Sequence, residues 1–386
     1  MDLNDYFNPV SLGKPPYSLL RNKAKFGRNI TIHTPDIPIT KQKQYDIALM
    51  GVEDDRNSEN KGAAKAPDFI RSKLYQLLHP PKGLKIIDLG NLKIGPEVKD
   101  SYFGLRDVII ELLKQNIVPI VIGGSQDLTL GIAEAFEKLE KSINLVTIDS
   151  RIDLHSGSKS ISSLNWLHQL FKKRSRFLFN YTNIGLQEYF TDPEDLLLIK
   201  NLYFGTYRLG TVRSNMVDVE PVLRDADIVS LDFGAVRQSD APGNFHVSPN
   251  GFHGEEICQL AKYSGQGSRL AAFFIGEVNP EFDPLQATSH LAAQTIWYLI
   301  DGFSQRVIEK PDESENFTKF IVSPDAFEHR LVFYKSENTG RWWLEIPVIK
   351  QNRESSYLIS CSYDDYLQAG RQEIPDRWWK AFQKIN

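Results

Sequence analysis

The sequence predicts an α/β domain built on a parallel sheet with helices packed over it. Three observations carry that expectation. Short runs rich in Val and Ile recur from Tyr45 to about residue 303, and stretches of helical length separate them. The apolar runs lack polar alternation, the pattern of strands buried on both faces. Acidic residues stand where several runs end. Regular alternation of strand and helix means a parallel sheet with helical cover, and ligand sites in such sheets lie at the carboxyl ends of the strands.

Residues 1–44 read as an irregular N-terminal arm, because Pro9, Pro15, Pro16, Pro35 and Pro38 fix φ and remove donors. Residues 45–304 form the main domain. Its first predicted strand is Ile47–Val52, followed by a helix over Ala66–Leu78 and a strand over Leu84–Leu89. A helix over Leu105–Gln115 leads to the strand Val118–Ile122, and a helix over Leu128–Leu139 to the strand Asn144–Asp149. Strands follow at Phe177–Ile184, Leu202–Gly205 and Ile228–Phe233. The helix Gly254–Tyr263, the strand Ala271–Val278 and the helix Ala287–Phe303 complete the set. Residues 305–386 are a Trp-rich C-terminal extension. Within it Leu331–Tyr334 and Trp342–Ile346 flank Ser336-Glu337-Asn338-Thr339-Gly340, and Asn and Gly are the residues a tight hairpin turn needs. Trp342, Trp343, Trp378 and Trp379 either pack the extension as a small lid on the main domain or offer an anchor to a protein partner.

The 386 residues suffice for one large domain plus an appendage. A net charge of −4 gives no basic surplus for nucleic acid. The N-terminal residues lack the pattern of a signal peptide, and no apolar run is long enough to insert in a membrane. The two cysteines, Cys258 and Cys361, are far apart and imply a reducing compartment. The expected location is therefore cytoplasmic.

Four polar clusters end four apolar runs. They are Gly123-Gly124-Ser125-Gln126-Asp127, Asp149-Ser150-Arg151-Ile152-Asp153, Ser230-Leu231-Asp232-Phe233-Gly234 and Glu277-Val278-Asn279-Pro280. Converging at one mouth of the sheet, their carboxylates repel unless a metal, an arginine or a cationic substrate balances them. In order and spacing the clusters resemble the ureohydrolase family of arginases, agmatinases and formimidoylglutamases. That family carries G-G-x-H, D-A-H-x-D, S-x-D-x-D with a following A-P-G, and E-V-N-P. Asp240-Ala241-Pro242-Gly243, Lys61-Gly62-Ala63 and Ala66-Pro67-Asp68-Phe69-Ile70-Arg71 extend the resemblance across residues 45–303. It implies a three-layer α/β/α arginase-like fold, a hydrolase ancestry and a pair of manganese ions.

Three positions depart from that pattern. Gln126 stands for the first metal-binding histidine, Arg151 for the second, and Gly234 for the last aspartate, whereas Asp149, Asp153 and Asp232 are retained. The resemblance thus implies a metal set of Asp149, Asp153, Asp232 and the Gln126 carbonyl, all oxygen and sufficient for at most one weakly bound Mn, Mg or Ca ion. Alternatively Arg151 forks between two aspartates, the third stays protonated, and no metal binds. Glu277, Asn279 and Arg151 are implied for the substrate pocket, with Glu277 and His168 as candidate catalytic groups. His155, His246 and His253 read as surface or satisfied histidines. Two functions follow. Either the chain has lost the binuclear centre and serves as a binding or scaffold protein, or it remains a hydrolase of linear amidine or guanidine C–N bonds using one divalent metal or none.

Overall fold

In the computed structural model, the described residues are 1–11, 22–40, 44–80, 83–154, 160–173, 177–311, 316–325, 327–349 and 355–386. His155 lies outside them. The arm lends two short strands, β1 (Phe7–Asn8) and β2 (Thr31–Ile32), to the edge of the main sheet. It is thus less irregular than its prolines suggest, because the edge of the next strand still offers unpaired backbone groups. The sheet continues with β3 (Ile47–Gly51), β4 (Ile86–Leu92), β5 (Val118–Ile122), β6 (Ile143–Ile148), β7 (Leu178–Leu186), β8 (Gly205–Arg208), β9 (Ile228–Asp232) and β10 (Ala272–Gly276). Its order is β1-β4-β3-β5-β10-β9-β6-β7-β8, with β2 also on β4, and every pairing but β1–β4 is parallel.

Helices cover both faces. They are α1 (Ala66–Leu74), α2 (Val98–Lys114), α3 (Thr129–Lys138), α4 (Trp166–Lys173), α5 (Pro193–Asn201), α6 (Leu209–Ser214), α7 (Glu220–Arg224), α8 (Gly254–Gln266) and α9 (Ala287–Ser304). One core holds α2, α3 and α4 against Val121, Leu145 and Phe274, and the other holds α1, α8 and α9 against Ile120, Val146 and Ile275. Successive strand residues feed opposite cores, which is why the runs read as apolar without alternation.

The predicted strand Leu202–Gly205 is corrected. Leu202 still donates to Leu198 O as the cap of α5, Tyr203 turns to φ +55°, and the strand runs from Gly205 to Arg208. The second helix starts at Val98 rather than Leu105, because Glu97 and Asp100 form a capping box there.

The extension is a four-stranded antiparallel sheet, β11 (Phe317–Val322), β12 (Leu331–Ser336), β13 (Trp342–Val348) and β14 (Ser355–Cys361), followed by α10 (Tyr363–Gly370) and α11 (Asp376–Ile385). The expected hairpin pairs Tyr334 with Trp343. Trp342 and Trp378 belong to a core of the extension's own. Trp343 reaches the main domain, where the Arg224 guanidinium lies 4.5 Å from its ring centre. Trp379 is 43% exposed. Arg224 donates to Trp342 O and Ser360 donates to Asp225, so the extension docks beside the residues that precede β9. Those are amino ends of strands. The extension therefore does not act as a lid over the mouth of the sheet, which opens at the other end.

Candidate functional site

All four predicted clusters meet at the carboxyl ends of β5, β6, β9 and β10, the strands at the centre of the sheet. Asp149 and Asp153 are buried, and Asp232 caps the turn after β9 by accepting from Gly234 N–H. The Gln126 carboxamide lies at the point on which the three carboxylates converge. With the carboxylate oxygens as acceptors, the hydrogen-bond network assigns its nitrogen to that point. The amide nitrogen is 2.7 Å from Asp153 Oδ2, 3.1 Å from Asp149 Oδ2 and 3.3 Å from Asp232 Oδ2. Trp166 Nε1 donates to Asp153 Oδ2 at 3.0 Å, and Arg151 N–H donates to Asp149 Oδ1 at 3.0 Å.

Burial dominates the protonation of this cluster. Desolvation, then the charges of Asp149 and Asp232, push Asp153 well above the usual carboxylate range. Desolvation, then Asp149 and Glu277, do the same to Asp232. Asp149 is raised to about 6 by burial, against the pull of the Arg151 N–H and guanidinium. The carboxyls thus share protons and an amide donor, and the cluster carries far less charge than three free aspartates would.

Arg151 does not fork between the aspartates. Its guanidinium carbon lies 4.8 Å from the centre of the Phe190 ring. The physical reason is that half-buried guanidinium gains by stacking on an aromatic face, while Gln126 already supplies the donors that the carboxylates need. At Gly234 an added Cβ would fall 2.9 Å from Asp232 Oδ1, so a larger residue would disturb the carboxylate that Gly234 N–H now holds.

Glu277 ends β10 in a left-handed conformation, φ +60°, which is strained for a residue with a side chain. Asn60 and Asn244 both donate to its carbonyl. Its carboxylate accepts from Gln126 N–H at 2.9 Å, Asn60 Nδ2 at 3.0 Å and Ser58 Oγ at 3.1 Å. Burial raises its pKa to about 7 against those hydrogen bonds. Asn279 is fully buried and donates to Asn60 Oδ1 and Lys61 O, so it braces the loop that carries Asn60. Gly62 belongs to that loop with φ +108°, and a Cβ there would lie 2.6 Å from Asn279 Oδ1. His168 sits half-buried on α4, but the side chain of that helix that reaches the cluster is Trp166. His246 stands 3.5 Å from Glu59, and His253 caps α8.

Sequence reasoning missed Ser58, Asn60, Trp166 and Asn244. Ser58 and Asn60 lie more than 200 residues from Glu277, and their types are ordinary for a loop, so no local pattern marks them. The family pattern presents Gln126 as a carbonyl ligand, and only its place among three carboxylates points to a donor.

A sequence profile of the arginase family matches residues 45–301. The chain belongs to the arginase family. A formimidoylglutamase from Photorhabdus laumondii is 24% identical over 271 residues, 66% of this chain and 84% of that protein. One from Geobacillus sp. is 26% identical over 286 residues, 69% of this chain and 87% of its own length. Among solved structures, formimidoylglutamase from Bacillus subtilis superposes with a TM-score of 0.67 at 20% identity, covering 78% of this chain and 96% of that one. Trypanosoma cruzi formiminoglutamase with Mn²⁺ gives 0.65 at 18% identity, covering 69% and 97%. These likenesses establish the arginase-like α/β fold, with the C-terminal antiparallel sheet as an addition to it. No helix among the described residues is long and apolar enough to cross a membrane.

A two-manganese centre does not fit these arginase-family residues as they stand. A carboxamide in place of a histidine takes the point where the three carboxylates meet, the Arg151 side chain cannot donate electrons to a metal, and Gly234 has no side chain to offer.

Proposed function

We propose that this protein is a non-catalytic member of the arginase family, a formimidoylglutamase-like fold used for binding or scaffolding. One observation carries the reading: the Gln126 carboxamide fills the point where Asp149, Asp153 and Asp232 converge and can donate to two of them from within the protein. Paired metals activate water by lowering its pKa and stabilise charge in the transition state. A primary amide supplies neither, and the carboxylates it engages are not free to do so in its place. The extension, with Trp379 exposed, lies outside the residues 45–301 that match the family and would supply partner contacts.

Two features favour a second reading, a hydrolase of linear amidine or guanidine C–N bonds using one divalent ion or none. Asp149, Asp153 and Asp232 remain grouped, and burial holds the Glu277 carboxyl at about 7, within reach of acid–base work. The deciding experiment measures metal per chain after Mn²⁺ loading, together with formamide or urea release from formimidoylglutamate, agmatine and arginine. The expected result is at most one ion and no turnover. Two ions per chain with turnover would overturn the proposal, and turnover with one ion or none would establish the second reading.

A further inference from the structure

A cleft of about 270 Å³ separates the extension from β6, β7 and β8 of the main sheet. Its floor is one face of those strands. Asn144 on β6 and Asn180 and Thr182 on β7 project there, because side chains two apart share a face. Its far wall is α11, where Arg377, Lys380 and Lys384 share one side at helical spacing. Helix-on-sheet contacts normally bury apolar side chains, but here lysines face amides and hydroxyls across an open space, with Asp218, Asp225, Asp364, Asp365 and Asp376 also on its walls.

The three cations differ in their partners. Arg377 pairs with Asp365 at 3.2 Å, and Lys380 with Asp376 at 2.7 Å. Among the described residues Lys384 Nζ donates only to the neutral Asn180 amide oxygen, and it lies 5.4 Å from the Phe204 ring centre. Among the described residues no carboxylate comes within 4.0 Å of it.

We propose that this cleft is a binding site for a small anionic ligand, whose carboxylate or phosphate group pairs with Lys384 and Lys380. Burial, with the nearby Lys380 charge and against that of Asp376, brings the Lys384 amine down to about 7. An anion in the cleft restores its charge and forms a charge-assisted hydrogen bond with it. Asn180 and Thr182 line the same floor and offer further polar groups to the ligand. The site lies beneath the amino ends of the strands, so it is separate from the Asp149 cluster and does not depend on whether that cluster is catalytic.

The test uses the full-length chain with inorganic phosphate in one arm and succinate in the other. Lysine acetylation by an N-hydroxysuccinimide ester is followed by mass spectrometry, and thermal melts are run in parallel. At least one anion should slow acetylation of Lys384 several-fold, leave the exposed Lys114 unaffected and raise the melting temperature. Response to phosphate alone assigns a phosphate group, and response to succinate alone a carboxylate. Lys384→Arg should keep the melting shift, and Lys384→Met should weaken binding about tenfold or more, as expected for a lost charge-assisted bond. The proposal fails if neither anion alters Lys384 labelling in the wild-type chain, or if the melting shift survives in Lys384→Met.

Discussion

Gln126→Met keeps the length of the side chain and removes both of its N–H donors. The amide carries two hydrogens, so it satisfies at most two of the three carboxylates at once. Hydrogen bonds to charged groups contribute about 1.5–3 kcal/mol each, and neutral ones about 1 kcal/mol. Burial raises all three acids, Asp149 least, so one bond goes to a carboxylate with much charge and the other to a mostly protonated acid. Adding the cost of leaving a buried acceptor unpaired, the substitution should destabilise the protein by about 3–5 kcal/mol. With a melting entropy of about 2 cal/mol/K per residue, that corresponds to a fall in Tm of roughly 4–6 °C for a chain of this size. Melts followed by circular dichroism, with and without Mn²⁺, are the assay. Gln126→Ala should fall at least as far, because it also opens space. Mn²⁺ should recover part of the loss in that variant, since a ligand that binds only the folded state raises its stability. Wild type and Gln126→Met should ignore the metal, because a side chain still fills the space. If Gln126→Met melts within about 1 °C of wild type, or if Mn²⁺ stabilises wild type as much as Gln126→Ala, the amide does not serve as the internal counter-group.

Three further outcomes are expected. Arg151→Ala removes a half-exposed contact with Phe190 and should cost only about 0.5–1 kcal/mol; a loss as large as that of Gln126→Met would mean the guanidinium pairs with the carboxylates in solution. Removing residues 305–386 uncovers Arg224 and Asp225, so the truncated chain should melt lower and bind more of a hydrophobic dye; an unchanged Tm would make the extension an independent module. Lys384 has a folded pKa near 7 against an ordinary value of 10.5, so the unfolded chain binds more protons between those values and this residue's contribution favours folding increasingly as pH rises through that window. Lys384→Met should therefore be more stable than wild type below about pH 7, with the gap closing toward pH 10, and a gap that is constant with pH would contradict this reading.

Much of the fold was legible because buried parallel strands need runs such as Ile120-Val121-Ile122 and Phe273-Phe274-Ile275, and these fill two cores at once. Boundaries were less legible. The capping box of Glu97 and Asp100 adds nearly two turns to α2, and the strand assigned to Leu202 begins only where α5 has finished.

The sequence by itself determined which acids gather at the mouth and which family ligands are replaced, because those are matters of residue type at strand ends. Only the tertiary structure decided what the replacements do. Arg151 and Gln126 both offer hydrogen-bond donors, and nothing in a linear pattern says which one the carboxylates take. Packing settled it: Gln126 projects from the end of β5 into the buried point between Asp149, Asp153 and Asp232, while Phe190 gives Arg151 a half-exposed face to lie on. The same holds for the extension. Its tryptophans left packing and partner contact both open, and which end of the sheet it covers depended on contacts such as Arg224 to Trp342 and Asp225 to Ser360, made across more than a hundred residues of chain.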